Sequence, residues 1–112
     1  MSRRDDLYLD DIIEAAGHIG QFLQGVDSDA FLVSELIRSA VLQKLMVIGE
    51  AAARVSAELK SAHPEVPWRS IVGVRNIAVH AYFSVDWAVV WTAATVEAPT
   101  LARQAKQILD GE

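Results

Sequence analysis

The sequence contains no cysteine, which excludes a disulfide framework and any thiolate metal centre, and a reducing cytoplasm would do such a chain no harm. Its six glycines are scattered, so neither a P-loop nor a dinucleotide-binding fingerprint can be assembled. Long hydrophobic runs are missing too. The least polar stretch, WAVVWTAATV from Trp87, is far below the ~20 residues that a membrane-spanning helix needs. The opening MSRRDDLYLDDII carries two arginines but turns acidic at once and never develops the apolar centre of a secretory signal. A cytoplasmic protein with no membrane segment is the expectation. Nowhere does the two-residue alternation of a half-buried strand appear.

After Arg3 and Arg4, positive charge is absent until Arg38. From Asp5 to Glu35 there are eight acidic residues and no basic one, whereas from Arg38 to Arg75 there are six basic residues and three acidic. The net charge of −5 argues against indiscriminate nucleic-acid binding, because phosphate contacts usually come with a basic surface. The uneven distribution softens that objection. The acidic part is a solvated helix face or a surface for a basic partner.

What is present in excess is apolar surface. Hydrophobic residues make up 52% of the 112, in a chain long enough for one core and too short for two ordinary domains. One domain spanning 1–112 is expected, and surplus apolar residues in so small a chain are often hidden by self-association, most simply as a homodimer.

The apolar residues recur at helical spacing. Leu9, Ile12, Ile13, Ala16, Ile19 and Leu23 form one stripe, which predicts a first helix from about Arg4 to Gln24. Gly25 suits its C-terminal end, and Asp27, Ser28 and Asp29 are N-cap candidates for a short turn around Ala30. A long helix follows, carrying Ile37, Val41, Leu45, Ile48, Ala52, Val55 and Leu59, and should end near His63. Pro64 and Pro67 break it. A third helical region begins near Trp68. Ser84 or Asp86 then caps a last helix whose stripe runs from Trp87 through Trp91, Ala94, Ala98, Leu101 and Ala105 to Ile108, with Pro99 kinking or splitting it near Val96. The expected fold is all-α, an up-and-down bundle of four to five helices.

Chemistry concentrates in RNIAVHAY, residues 75–82. On a continuous helix, Arg75 and Tyr82 would lie within about 20° of each other, with Asn76 and His80 four apart on a neighbouring face. Arginine keeps its charge and presents a fork of donors that matches a phosphate, but it cannot act as a base. Histidine moves protons under cellular conditions. Together they suit cleavage of a phosphodiester: imidazole takes the proton of a ribose 2′-hydroxyl or returns one to the leaving oxygen, while guanidinium neutralises the phosphorane. This chemistry calls for no metal and no cofactor. One chain supplies one such histidine, and a two-fold dimer would supply the second proton carrier. Taken alone, an arginine and a histidine five apart on a helix are more often a surface arginine and a core histidine bonded to a carbonyl.

The run PWRSIVGVRNIAVHAYFSVDWAVVW, residues 67–91, together with IGEAA at 48–52, resembles the HepT-like branch of the HEPN superfamily. That branch is marked by proline and tryptophan before the motif, an arginine, four residues, a histidine, one residue and a tyrosine, and an upstream GEA on the long helix. Arg75, His80 and Tyr82 occupy the motif positions, and Asn76 is the usual polar residue after the arginine. The resemblance implies a HEPN-like bundle and a metal-independent endoribonuclease toxin whose cleft lies at a homodimer interface. It also implies a partner, a minimal nucleotidyltransferase antitoxin of the MntA kind that transfers AMP from ATP to the motif tyrosine, here Tyr82. The other reading is a non-catalytic helical dimer that binds nucleotides or a nucleotidyltransferase.

Glu50, in the GEA segment, either orients Arg75 or an interface, or pairs with Arg54 four residues on. Glu14 and His18 share a helix face, but a third metal ligand is not evident.

Overall fold

The computed structural model describes residues 2–73 and 84–111, and every regular element among them is helical. Helix α1 spans Arg3–Phe22. The Ser2 hydroxyl caps it by accepting from the Asp5 amide at 3.0 Å, and Asp5 and Asp6 place negative charge in its first turn, where the helix dipole favours it. It stops two residues short of the expected Gln24. Gly25 takes φ +74° in the turn that follows, a left-handed conformation that glycine adopts at little cost.

Of the three candidate caps after Gly25, Asp27 is the one used: its Oδ1 accepts from the Ala30 amide at 2.8 Å and starts α2, Ser28–Val33. Ser34 then caps α3, Glu35–Arg54, by accepting from the Ile37 amide at 3.2 Å.

The long helix does not continue to His63. It breaks after Arg54, where Val55 and Ser56 are extended, and resumes as α4, Ala57–Ala62. No proline or glycine marks the break. Ser56 causes it by caps and anchors: its hydroxyl accepts from the Leu59 amide at 3.2 Å, while its own amide and hydroxyl donate to the Asp5 carboxylate at 2.9 and 2.6 Å. Val55 and Leu59 both remain buried, so the apolar spacing runs through the break without registering it.

After the turn containing Pro64 and Pro67, α5 begins at Trp68 as expected and is described over 68–73. The indole N–H of Trp68 donates to the His63 carbonyl at 3.1 Å, tying the new helix to the end of α4. Asp86 is the cap of α6, Trp87–Thr92; its Oδ1 accepts from the Ala88 and Val89 amides.

The last stripe is divided as Pro99 predicted. Ala93–Glu97 forms a π-helical turn, and α7 runs from Ala98 to Leu109 with Pro99 at its start. The Ala98 amide donates to the Ala93 carbonyl five residues back. Pro99 has no amide hydrogen to continue a four-residue ladder, and the wider turn accommodates that loss. Thr92, Thr95 and Thr100 each return their hydroxyl to the carbonyl four residues back, a bond that favours local bending.

Packing follows from these faces. Helix α1 lies between α3 and α7, burying Leu9, Ile12, Ala15 and Ile19 against Val41, Leu45, Ile48, Leu101, Ala105 and Ile108. Helix α2 is held against α6 by Phe31, fully buried, whose ring meets Trp91 at 5.2 Å and Trp87 at 6.4 Å between centroids. The Arg38 guanidinium lies 4.9 Å from the Trp87 ring, a cation–π contact joining α3 to α6.

Candidate functional site

Arg75, Asn76, His80 and Tyr82 lie outside the described residues. The structure does describe the frame on either side of them. Upstream, α5 is seated by Ile71, which with Ser70 meets Leu45 and Ile48 of α3 and Ala93, Glu97, Ala98 and Leu101 of the last helices around a residual gap of about 20 Å³. Downstream, Asp86 fixes the start of α6. The described elements that precede and follow those residues in the chain are thus both seated on the same core.

Glu50 projects from α3 beside the small buried residues Gly49, Ala51 and Ala52, which let neighbouring elements come close. Its Oε1 accepts from Nε of Arg54 at 3.0 Å and lies 3.0 Å from Nη2 in the same ion pair. The local pairing foreseen as one alternative is thus present. Glu50 first, and Tyr8 second, hold the Arg54 guanidinium pKa above its ordinary value. These residues border an open cavity of about 410 Å³ between α1 and α3, lined also by Asp11, Gln43, Met46 and Val47.

A second groove, about 510 Å³, lies against the start of α5 and is lined by Lys60, Trp68, Arg69, Val72 and Gly73. Sequence reasoning registered the basic character of this part of the chain but not that α4 and α5 bring Lys60 and Arg69 to one groove. The pair is nine residues apart across a proline-containing turn, and no helical periodicity relates them.

Asp5 was also missed. It is 3% exposed although charged, and it looks in sequence like any first-turn aspartate. Burial opposes its ionisation, but hydrogen bonds from the Ser56 hydroxyl and amide, with a smaller contribution from Ser2, prevail and hold its carboxyl below the usual range. Its role is to join α1 to the α3–α4 junction.

Among the described residues no group of three or more His, Cys, Asp or Glu side chains is placed to hold a metal. His18 stacks on Phe22 with centroids 6.4 Å apart. No described helix is long and apolar enough to cross a membrane.

Comparison with known proteins bears on the same stretch. The model of the family described as "Ribonuclease HepT-like" matches residues 12–108. A protein of Methanocaldococcus jannaschii named a putative RNase is 34% identical over 105 residues, covering 93% of this chain and 96% of the relative. A protein of Thermococcus cleftensis named a probable ribonuclease HepT is 37% identical over 101 residues, covering 90% and 92%. No solved structure matches the chain. The helical bundle, the motif spacing and these matches across nearly the whole length agree, and the chain belongs to the HepT-like ribonuclease family of the HEPN superfamily.

Proposed function

We propose that this chain is a metal-independent endoribonuclease toxin, active as a homodimer and silenced by AMP transfer to Tyr82. The observation that carries the reading is the family match over residues 12–108, which takes in an unsubstituted arginine, histidine and tyrosine at positions 75, 80 and 82. His80 acts as general acid or base. The ribose 2′-oxygen gives up its proton and attacks the adjacent phosphorus, and the bond from phosphorus to the 5′-oxygen breaks as that oxygen takes a proton. Arg75 holds the scissile phosphate and neutralises the charge that builds on it, and Asn76 helps to orient it. Glu50, engaged with Arg54, serves as a supporting residue.

Self-association is supported by the large apolar side chains left at the surface, among them Val33 at 84% and Leu36 at 81% exposed. The partner is a minimal nucleotidyltransferase antitoxin of the MntA kind. In the silencing step the Tyr82 phenol oxygen attacks the α-phosphorus of ATP, loses its proton and releases pyrophosphate. The bulk and negative charge of the added nucleotide, two residues from His80, then exclude RNA.

The test is cleavage of RNA by the purified chain in EDTA, with His80→Ala as the inactive comparison. Cleavage by the variant equal to that of the parent overturns the mechanism. Stable binding to an adjacent nucleotidyltransferase, with no cleavage of any RNA, selects instead a non-catalytic module, a reading that the net charge of −5 favours.

A further inference from the structure

The groove at the start of α5 has a chemistry that the cleavage reaction does not itself use. Among the described residues, its charged lining is Lys60 from α4 and Arg69 from α5, with no carboxylate. In a chain of net charge −5, two cations lining one cavity with no described acid are a local reversal of the overall sign. The neighbouring acid of the connecting turn, Glu65, has its Oε2 3.4 Å from Nδ1 of His63.

Both cations are held in ways that leave donors over. Lys60 Nζ donates to the Ala53 carbonyl at 3.2 Å, in the last turn of α3, where the helix dipole favours a cation. That single bond fixes the ammonium and uses one of its three donors. Arg69 is exposed, and among the described residues it takes part in no ion pair. Between the cations the wall is apolar, formed by Trp68, Val72 and Gly73. Trp68 is tied to the His63 carbonyl, so the floor on which Arg69 stands is set by packing.

The groove is also next to the motif along the chain. Gly73 stands two residues before Arg75, and two peptide links span at most about 7 Å. We infer that Lys60 and Arg69 form a phosphate-binding track for single-stranded RNA, holding the backbone of nucleotides adjacent to the one positioned by Arg75. The inference rests on the ribonuclease reading for its ligand, but binding is measured separately from cleavage. Phosphate tracks of this kind add affinity without reading bases.

The experiment uses the full-length chain carrying His80→Ala, to prevent cleavage, and a fluorescein-labelled oligouridylate as probe. Its dissociation constant is followed by fluorescence anisotropy over a series of salt concentrations. Each phosphate contact to a single strand contributes about 0.7 to the slope of log K against log salt. Adding Lys60→Gln and Arg69→Gln should weaken binding at least about tenfold at low salt and flatten the slope by about 1.4. Arg69→Gln alone, which disturbs no described ion pair, should give about half of that change in slope. Arg103→Gln, on α7, should leave both quantities as they were.

An unchanged slope in the double variant, with its far-ultraviolet circular dichroism preserved, overturns the track. Loss of affinity with no change in slope overturns it equally, because a merely structural role would have that signature. If the parent fails to cleave RNA while the two substitutions flatten the slope, the track stands and the catalytic reading falls. If the parent cleaves and neither kcat/KM nor its salt dependence responds to them, the catalytic reading stands and the track falls.

Discussion

Asp5 and Ser56, 51 residues apart, are joined by two hydrogen bonds of 2.9 and 2.6 Å into one carboxylate. The same serine hydroxyl caps α4, so one side chain ends α3, begins α4 and anchors both to the first turn of α1. Hydrogen bonds to charged groups are each worth about 1.5–3 kcal/mol.

Asp5→Ala should therefore lower stability to unfolding by roughly 3 kcal/mol, measured as a shift of the urea midpoint at neutral pH. The carboxyl's folded pKa lies below its unfolded value, so the stability it confers is present above the unfolded pKa of about 3.9 and fades as pH falls through the lower folded value. Asp5→Asn should flatten that acid limb of the stability profile. A variant as stable as the parent at pH 7 would show that the contact contributes nothing.

Phe31→Ala should cost roughly 3–5 kcal/mol, the usual penalty for emptying a buried aromatic site. Because the ring packs on Trp91 and Trp87, the loss should also change tryptophan fluorescence in the folded state. Thermal unfolding followed by fluorescence checks both.

Arg75→Lys keeps the positive charge but removes the fork of donors that grips a phosphate on two sides. It should still reduce kcat, and Arg75→Ala should reduce it by about 10²–10³-fold, the penalty for losing a donor to a developing oxyanion. Single-turnover cleavage of a defined RNA measures it. Parent-like rates for the lysine variant would assign the phosphate to another group.

Tyr82→Phe removes the phenol oxygen and nothing else. On the proposed silencing, co-expression with a minimal nucleotidyltransferase of the MntA kind should add the mass of AMP to Tyr82 of the parent and stop its toxicity, while the phenylalanine variant stays unmodified and toxic. Intact-mass spectrometry together with growth curves decides it.

Most of the helices could be read from spacing, because an amphipathic stripe is the sequence's direct record of which face is buried. Gly25, Asp27, Asp86 and Pro99 punctuated those stripes where their backbone chemistry demanded. The break at Val55 was hidden because what ends α3 is a tertiary partner, Asp5, and not a local breaker. The same limit applies to the candidate site. Arg75, Asn76, His80 and Tyr82 could be singled out because they sit together in sequence, and Glu50 because it stands in the GEA segment. Lys60 and Arg69 belong to different helices, and only the turn around Pro64 and Pro67 brings them to one groove.

The π turn at Ala93–Glu97 has a consequence for how the chain tolerates changes of length. A π turn carries about one residue more than an α turn, and one residue corresponds to about 100° of rotation. It therefore acts as a phase shifter in an otherwise continuous rod: α6 points its tryptophans at Phe31 of α2, and α7 points Leu101, Ala105 and Ile108 into the core against α1. Removing one residue from 93–97 should turn α6 relative to α7 by about 100° and disturb the packing of one of them. In that short span it is the count of residues, more than their identity, that the architecture depends on.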